Sequence, residues 1–554
     1  MRLINKAFLL KGALLLLVVV LVVLISKNTE GGARQVYVGN TVADIEWDKY
    51  GGDDFVCYEI YRNENNIDTV YSRETTFYRD EGLTKGEDYK YEVVVINDTG
   101  EKKDVSSVGI TAGYVQGRIT QYTSWGHGDY ELHGNIYVEE NATLHIESGR
   151  TIKTINGKIF VSGKIGDLNN IRIEGYGIAI TKTNNDMDNF EINDCQFDSS
   201  SIYNPGAAIW LKGIDKVTIW GCTIQGYDYG IYVEGHQPVI YNNIISNTES
   251  TGNTAIEVNG MYFSISNNVV REYDYGIIAS GYDSLLSNNK VTSVWSAGIE
   301  LESGDHTEII GNIIRDNSGY ALKVNGSYLK IKQNTIINNS YQRGLWGKEL
   351  KKSDIRENII NNNSAGIYLE KGENNTIFNN TLKGNDNGMI LWNQKKIEII
   401  SNSLNKTKSY AIEVRSGSSG IEIISNTIFS AKNGIYIEGD DCLLSYNDIY
   451  FIEDYGIQVR GGNNYTVENN NIKSAYRGIY LVSLKKGRVA NNEFKEINME
   501  GLSVWDMTDF EILDQTIADL NGVAFTAIEL SNVTIYLMKI SNASVGMQIA
   551  RGDN

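Results

Sequence analysis

Asparagine recurs in this chain with a spacing that no compact globular core would require. Short segments of the form apolar-x-apolar-x-x-Asn-x-apolar (SISNNVV, EIIGNII, DIRENII, EIISNTI) align on one column: Asn243, Asn268, Asn289, Asn312, Asn334, Asn358, Asn380, Asn402, Asn426, Asn447, Asn470 and Asn492. These twelve residues are separated by 21 to 25 positions, with Cys195 and Cys222 opening the column and Gln515 and Met538 closing it. A second short strand follows each one about ten residues later (YGIYVEG, AGIELES, NGIYIEG), with a Gly or Ala before its Ile, as at Gly230, Ala255, Gly276 and Gly298. A period of about 22 residues with two or three short strands per repeat predicts a parallel β-helix. Each coil would hydrogen-bond to the next at ~4.8 Å, so that like residues stack on like. An inward asparagine at a turn can then satisfy a buried backbone group and bond to the asparagine above it. The small residue before the Ile fits a tight corner. Sixteen such corners run from Ala208 to Gly546, enough for a rod of roughly 75 Å.

Composition agrees with an all-β repeat. In 554 residues there are 55 Gly, 35 Tyr and only 2 Pro, too long a chain for one compact core and too poor in proline for extended disordered linkers. The net charge of −19 argues against nucleic acid as a partner, since phosphate binding needs a basic stripe. Four cysteines are too few for a disulfide scaffold. Cys195 and Cys222 share a column on consecutive coils, a separation that suits either a disulfide or two stacked thiols.

Two segments precede the repeats. Arg2, Lys6 and Lys11 lead into an apolar run from Gly12 to Ile25 with no small-x-small cleavage site after it. Residues 1–32 are therefore expected to be an uncleaved membrane anchor, its N-terminus cytoplasmic and the rest of the chain extracytoplasmic. Eleven N-x-S/T sequons, Asn97 and Asn141 among them, are compatible with a glycosylating exterior, although an Asn-rich chain also makes them by chance. Residues 33–114 alternate apolar and polar positions between turns, the pattern of a small antiparallel β-sandwich. The run LTKGEDYKYEVVVINDTG from Leu83 resembles the fibronectin type III fold, with Tyr89 as its corner tyrosine and Trp47 as its core tryptophan. That resemblance implies a spacer or a weak binding module.

Residues 115–554, with the N-x-I…G-I-x-V signature and the segment GNIYVEENATLHIESGRTIK from Gly134, resemble the pectin-lyase-like superfamily, in particular its NosD-type repeats. The resemblance implies a right-handed parallel β-helix of about 16 coils. It is poor in information about activity, because such folds include lyases, glycosidases, epimerases, adhesins and non-enzymes.

Outward positions of the second strand bring candidate ligand-binding residues into columns. The residue after the Ile runs Trp210, Tyr232, Glu257, Ile278, Glu300, Lys323, Trp346, Tyr368, and the position two further on runs Lys212, Glu234, Asn259, Ser280, Glu302, Asn325. Aromatic and carboxylate groups side by side suit a sugar chain, and they also suit an ordinary solvated sheet face. Tyr229 and Tyr275 belong either to this surface or, with Tyr320, Tyr410 and Tyr455, to a structural ladder. In the turn before the glycine, Asp228 and Asp274 fall two coils apart, or ~9.6 Å, at the upper edge of the carboxylate spacing of inverting glycosidases. Polygalacturonases carry their acid pair near this turn, but their paired aspartates and Gly-His-Gly and Arg-x-Lys motifs are missing here, as are the Asp-Pro-His-Glu motif of alginate epimerases and the Arg-x-x-Arg-x-Pro segment of pectate lyases. The five histidines show no ligand spacing. No cofactor is expected; calcium at carboxylate-rich turns such as Gly439–Asp441 is the one cation the composition suits, without a recognisable loop. The last repeat, VGMQIARGDN, predicts an open sheet edge, covered by a fold-back or by self-association with another chain.

The expectation is thus an extracytoplasmic protein that binds or processes polysaccharide or envelope glycan. A structural or adhesive rod and a polysaccharide hydrolase, lyase or epimerase are the alternatives.

Overall fold

The computed structural model describes residues 32–126, 128–181, 189–199, 206–247, 253–339 and 341–552. The expected anchor lies outside the described residues except for its last position. Among the described residues no helix is long and apolar enough to cross a membrane.

The chain folds as two units. The first comprises the described residues up to Ile119 with Tyr130–Tyr137 and Ile155–Gly157, and the second comprises Thr120–Asp129, Val138–Thr154 and everything from Lys158. In the first unit, β3 (Phe55–Arg62) lies between β4 (Asn65–Val70) and β6 (Asp88–Asn97), and β7 (Lys102–Thr111) pairs with β6. A second antiparallel set joins β1 (Arg34–Val38), β2 (Val42–Glu46) and β5 (Phe77–Glu81). Period-two alternation turns Tyr58, Ile60, Val93 and Val95 inward around Trp47. The Tyr89 hydroxyl accepts the Thr84 N–H at 3.0 Å, tying the entry of β6 to its own turn. Asp44, fully buried, is held by both oxygens to Arg79 at 2.7 Å.

The second unit is a right-handed parallel β-solenoid of about 17 turns, close to the 16 expected. One coil shows the plan. Tyr229–Glu234 lies on face 1, Val239–Tyr241 on face 2 and Ile244–Ser246 on face 3. Each pairs in parallel with the same segment of the next coil, Thr254–Asn259, Ser264–Ser266 and Val269–Arg271. Inward residues stack in register: Ile231 on Ile256, Ile240 on Ile265, Ile245 on Val270, all fully buried. Each such side chain contributes about 1.5–3 kcal/mol of apolar burial.

The asparagine column lies at the corner between faces 2 and 3. The residue before each ladder asparagine is left-handed, as at Asn242, Asn267 and Asn288, with φ of 57°, 55° and 54°. This conformation favours Asn and Gly and bends the chain sharply. Asn334 donates both its backbone N–H and its Nδ2 to Asn358 Oδ1 at 3.0 Å. Asn358 Nδ2 in turn donates to the Ile331 carbonyl and to Asn380 Oδ1, each at 2.9 Å. The pattern runs from Asn243 to Asn492 and ends on Gln515, whose Oε1 accepts from Asn492 at 3.2 Å. At the head of the column Cys222 donates its N–H to Asn243 Oδ1 at 3.0 Å. Cys195 and Cys222 are both buried free thiols. Hydrogen bonding to Cys195 and burial push the Cys222 thiol far above its ordinary range, which keeps it unreactive.

A second, shorter ladder was not apparent in the sequence. Asn317, Asn339, Asn363 and Asn385 occupy the corner between faces 3 and 1, the Asn317 N–H donating to Asn339 Oδ1 at 3.1 Å and the next two steps at 3.2 and 2.9 Å. At the corner between faces 1 and 2 glycines stack instead. A Cβ on Gly260 would lie 1.7 Å from the Gly235 carbonyl oxygen, and one on Gly281 1.8 Å from that of Gly260. At the end of the solenoid, Val545, Met547 and Ile549 remain 44–59% exposed. Among the described residues the strand pattern continues to Gly552.

Candidate functional site

Face 1 carries three outward columns whose registers can be read from the strand pairing. The central one runs Trp210, Tyr232, Glu257, Ile278, Glu300, Lys323, Trp346 and Tyr368, as expected, and continues through Ile390, Glu413, Tyr436, Gln458 and Tyr480. The third column departs from expectation at one residue. A bulge follows Ala279, so Ser303, not Glu302, stands opposite Ser280, and the two hydroxyls lie 2.8 Å apart. The extra residue in that strand shifts Glu302 out of register. Its carboxylate still helps to raise the pKa of Glu257, behind the larger effect of burial.

The amino-terminal candidates come together in part. Trp210 and Tyr232 stack face to face, 3.8 Å between ring centroids and 10° between planes, with Tyr229 edge-on to Trp210 at 6.2 Å. The inner faces of that ring pair are therefore occupied by each other. Glu300 is 9% exposed and forms an ion pair with Lys323. Asp228 and Asp274 precede Tyr229 and Tyr275, which pair in turn with Thr254 of the coil between them. Both carboxyls are pushed above the usual carboxylate range by burial, and Asp228 is nine-tenths buried. Tyr229, Tyr320, Tyr410 and Tyr455 do not form one ladder. Each instead contacts an aromatic ring of the central column: Tyr320 with Trp346 at 4.7 Å, Tyr410 with Tyr436 at 5.4 Å and Tyr455 with Tyr480 at 5.5 Å.

A depression lies further along the same face than expected. It has a volume of about 470 Å³ and is lined by Tyr368, Trp392, Tyr410, Glu413, Arg415, Ser416, Tyr436 and Glu438. Its origin is local. The first column places Ala365 and then Asn387 between Arg343 and Tyr410, and the central column places Ile390 between Tyr368 and Glu413. Short side chains thus sit between long ones, and Ala365, Tyr368 and Ile390 pack together in a buried cluster that reaches the depression through Tyr368. Trp392, 39% exposed, rises beside it. The polar groups are fixed. Arg415 grips Glu413 at 2.8 and 3.3 Å, and the Tyr436 hydroxyl donates to Glu438. The result is a lining of aromatic rings with oriented polar groups between them.

Asp440 and Asp441, in the turn proposed for calcium, accept hydrogen bonds from Asn463 N–H at 2.8 Å and Asn464 Nδ2 at 2.9 Å. Among the described residues no group of three or more His, Cys, Asp or Glu is placed to hold a metal ion.

The model of the right handed beta helix region family matches residues 207–354, 254–404 and 410–554, more than half of the chain. The chain belongs to that family. No curated protein matches it significantly. Among solved structures, it is similar to the A-module of the Azotobacter vinelandii mannuronan C-5 epimerase AlgE6, at 15% identity over 59% of this chain and 90% of that one, with a TM-score of 0.36. It is also similar to the periplasmic alginate epimerase AlgG, at 12% identity over 72% and 84% of the two chains, with a TM-score of 0.28. A fibronectin(III)-like module of Clostridium thermocellum CbhA matches 14% of this chain and 94% of its own length, at 15% identity and a TM-score of 0.13.

Proposed function

We propose that this protein is an extracytoplasmic, membrane-anchored β-helix that binds polysaccharide or cell-envelope glycan along face 1. The observation that carries the reading is the depression between Tyr368 and Glu438, where four aromatic rings and a fixed Glu413–Arg415 pair occur together. In this reading the apolar run at residues 1–32 is the anchor, and the first unit is a fibronectin type III-like sandwich acting as a spacer, with Tyr89 as its corner tyrosine. The repeats are of the NosD type. The exposed apolar side chains of the last coil support self-association as a secondary property.

Catalysis is a second reading, favoured by one observation. Asp228 and Asp274, two coils apart, both have carboxyl pKa values raised by burial, as a general acid requires. The depression and this pair lie on different coils, so binding and cleavage are separable. The test is a glycan array probed with the purified full-length chain, followed by mass spectrometry of incubated ligands. Retention of envelope or other polysaccharides without new products supports binding alone. Shortened or unsaturated products would promote the catalytic reading, and no retention together with no new products would defeat both.

A further inference from the structure

On the strand Arg343–Lys351, Arg343, Trp346 and Lys348 point outward, two cations flanking an indole. The Arg343 guanidinium lies 3.6 Å from the centroid of the Tyr368 ring, 4.6 Å from that of Trp346 and 5.9 Å from that of Tyr320. Three rings thus fix its position, and cation–π attraction offsets the cost of ordering a long side chain before any ligand arrives. Among the described residues it has no ion pair, in contrast to other arginines of this face. Arg415 is paired with Glu413, and Arg477 with Asp454 and Glu500. On neighbouring coils of the same face Glu300 is paired with Lys323 and Glu370 with Lys371. The next coil places Ala365 opposite Arg343. Tyr368, the ring beneath the guanidinium, also lines the depression. A rigid planar donor with free N–H groups therefore stands one ring away from the proposed sugar seat.

We propose that Arg343 is the specificity-determining residue of this surface and seats an anionic substituent of the bound glycan, a carboxylate or a sulfate or phosphate ester. The proposal rests on the glycan-binding reading and names the ligand's charge class. A planar fork fits such an oxyanion through two parallel hydrogen bonds, which a lysine cannot reproduce. The site is local: the chain as a whole carries −19 and repels polyanions at long range. The preference is therefore for a substituent at one position and not for high charge density.

The test uses the full-length chain on an array in which each neutral backbone is printed beside its carboxylated and its sulfated or phosphorylated forms, with Arg343→Gln and Arg343→Lys as variants. The expected result is a preference for an anionic form over its neutral parent of about tenfold or more. Arg343→Gln should abolish the preference while leaving neutral binding in place, and Arg343→Lys should restore only part of it. The carboxylate and ester spots separate the two oxyanion classes. Equal binding of neutral and anionic forms, or a preference unchanged in Arg343→Gln, overturns this proposal and leaves the glycan-binding reading standing. Loss of neutral and anionic binding together in Arg343→Gln assigns Arg343 a structural role and also overturns it. No binding to any spot overturns the underlying reading instead.

Discussion

Replacing Asn358 with alanine removes one rung from the middle of the ladder, and the consequences can be worked out group by group. The substitution deletes the acceptor for the Asn334 backbone N–H and the donor to the Ile331 carbonyl. The Asn334 side-chain Nδ2 keeps its bond to the Ile309 carbonyl, and Asn380 Oδ1 keeps the backbone N–H of residue 358. One buried backbone group, the Asn334 N–H, is therefore left unpaired, while the Ile331 carbonyl keeps its place in the ladder with Asp354–Arg356 and loses only a second donor, a local cost of about 1–3 kcal/mol. A solenoid is stabilised by its nearest-neighbour interfaces, so the loss should appear as local opening around the corners at Asn334 and Asn380. Native-state hydrogen exchange is the appropriate assay, since a single global unfolding free energy is poorly defined for a long repeat array. The Asn334 backbone amide should exchange at least about fivefold faster in Asn358→Ala, the equivalent of about 1 kcal/mol. Amides of the first unit, Val93 for instance, should be unaffected. A change of less than about 0.5 kcal/mol at Asn334 would refute the view that the ladder satisfies otherwise orphaned backbone groups.

Other perturbations test other parts of the structure. Gly260→Ala forces a Cβ to within 1.7 Å of the Gly235 carbonyl oxygen, so the corner must open, and the thermal midpoint of the solenoid should fall by several degrees. Asp228 has a carboxyl pKa raised by burial. Its folded state binds a proton that the unfolded chain releases near pH 4, so the stability it contributes is present below that pH and is lost as pH rises through the folded value. Asp228→Asn should therefore be at least as stable as the parent at pH 7 in urea titrations, with the gap closing toward pH 3. A variant markedly less stable at pH 7 would argue against desolvation as the cause. All four cysteines are buried free thiols, so Ellman's reagent should detect none in the native protein and four after denaturation. Two fewer on denaturation would reveal a Cys195–Cys222 disulfide.

The parts of the fold legible in the sequence are those imposed on every coil. The Asn243–Asn492 column could be read because each turn makes the same demand on one residue, and a period near 22 leaves a parallel β-helix as the natural solution. The face 1 column from Trp210 to Tyr368 followed from the same register. The second ladder escaped because it spans only four consecutive asparagines, each in a stretch already rich in asparagine (DNS, NNS, NNNS, GND). Glu302 was misplaced because one inserted residue shifts a strand's register without altering its apolar pattern. The depression was not visible because it is a property of volume across coils. Ala365, Asn387 and Ile390 matter only through being short beside Arg343, Tyr410 and Trp392, and no single repeat shows that contrast.

The most direct test of the account is a titration of the full-length protein and its Trp392→Ala variant with a glycan retained on the array, followed by isothermal calorimetry. Trp392 stands exposed at the edge of the depression, outside the ladders and the solenoid core, so its removal should leave the fold intact. If sugar is seated there, losing the indole's apolar contact should weaken binding by about 1.5–3 kcal/mol, roughly tenfold to a hundredfold. Unchanged affinity in a correctly folded Trp392→Ala variant would contradict the placement of the glycan site on this part of face 1.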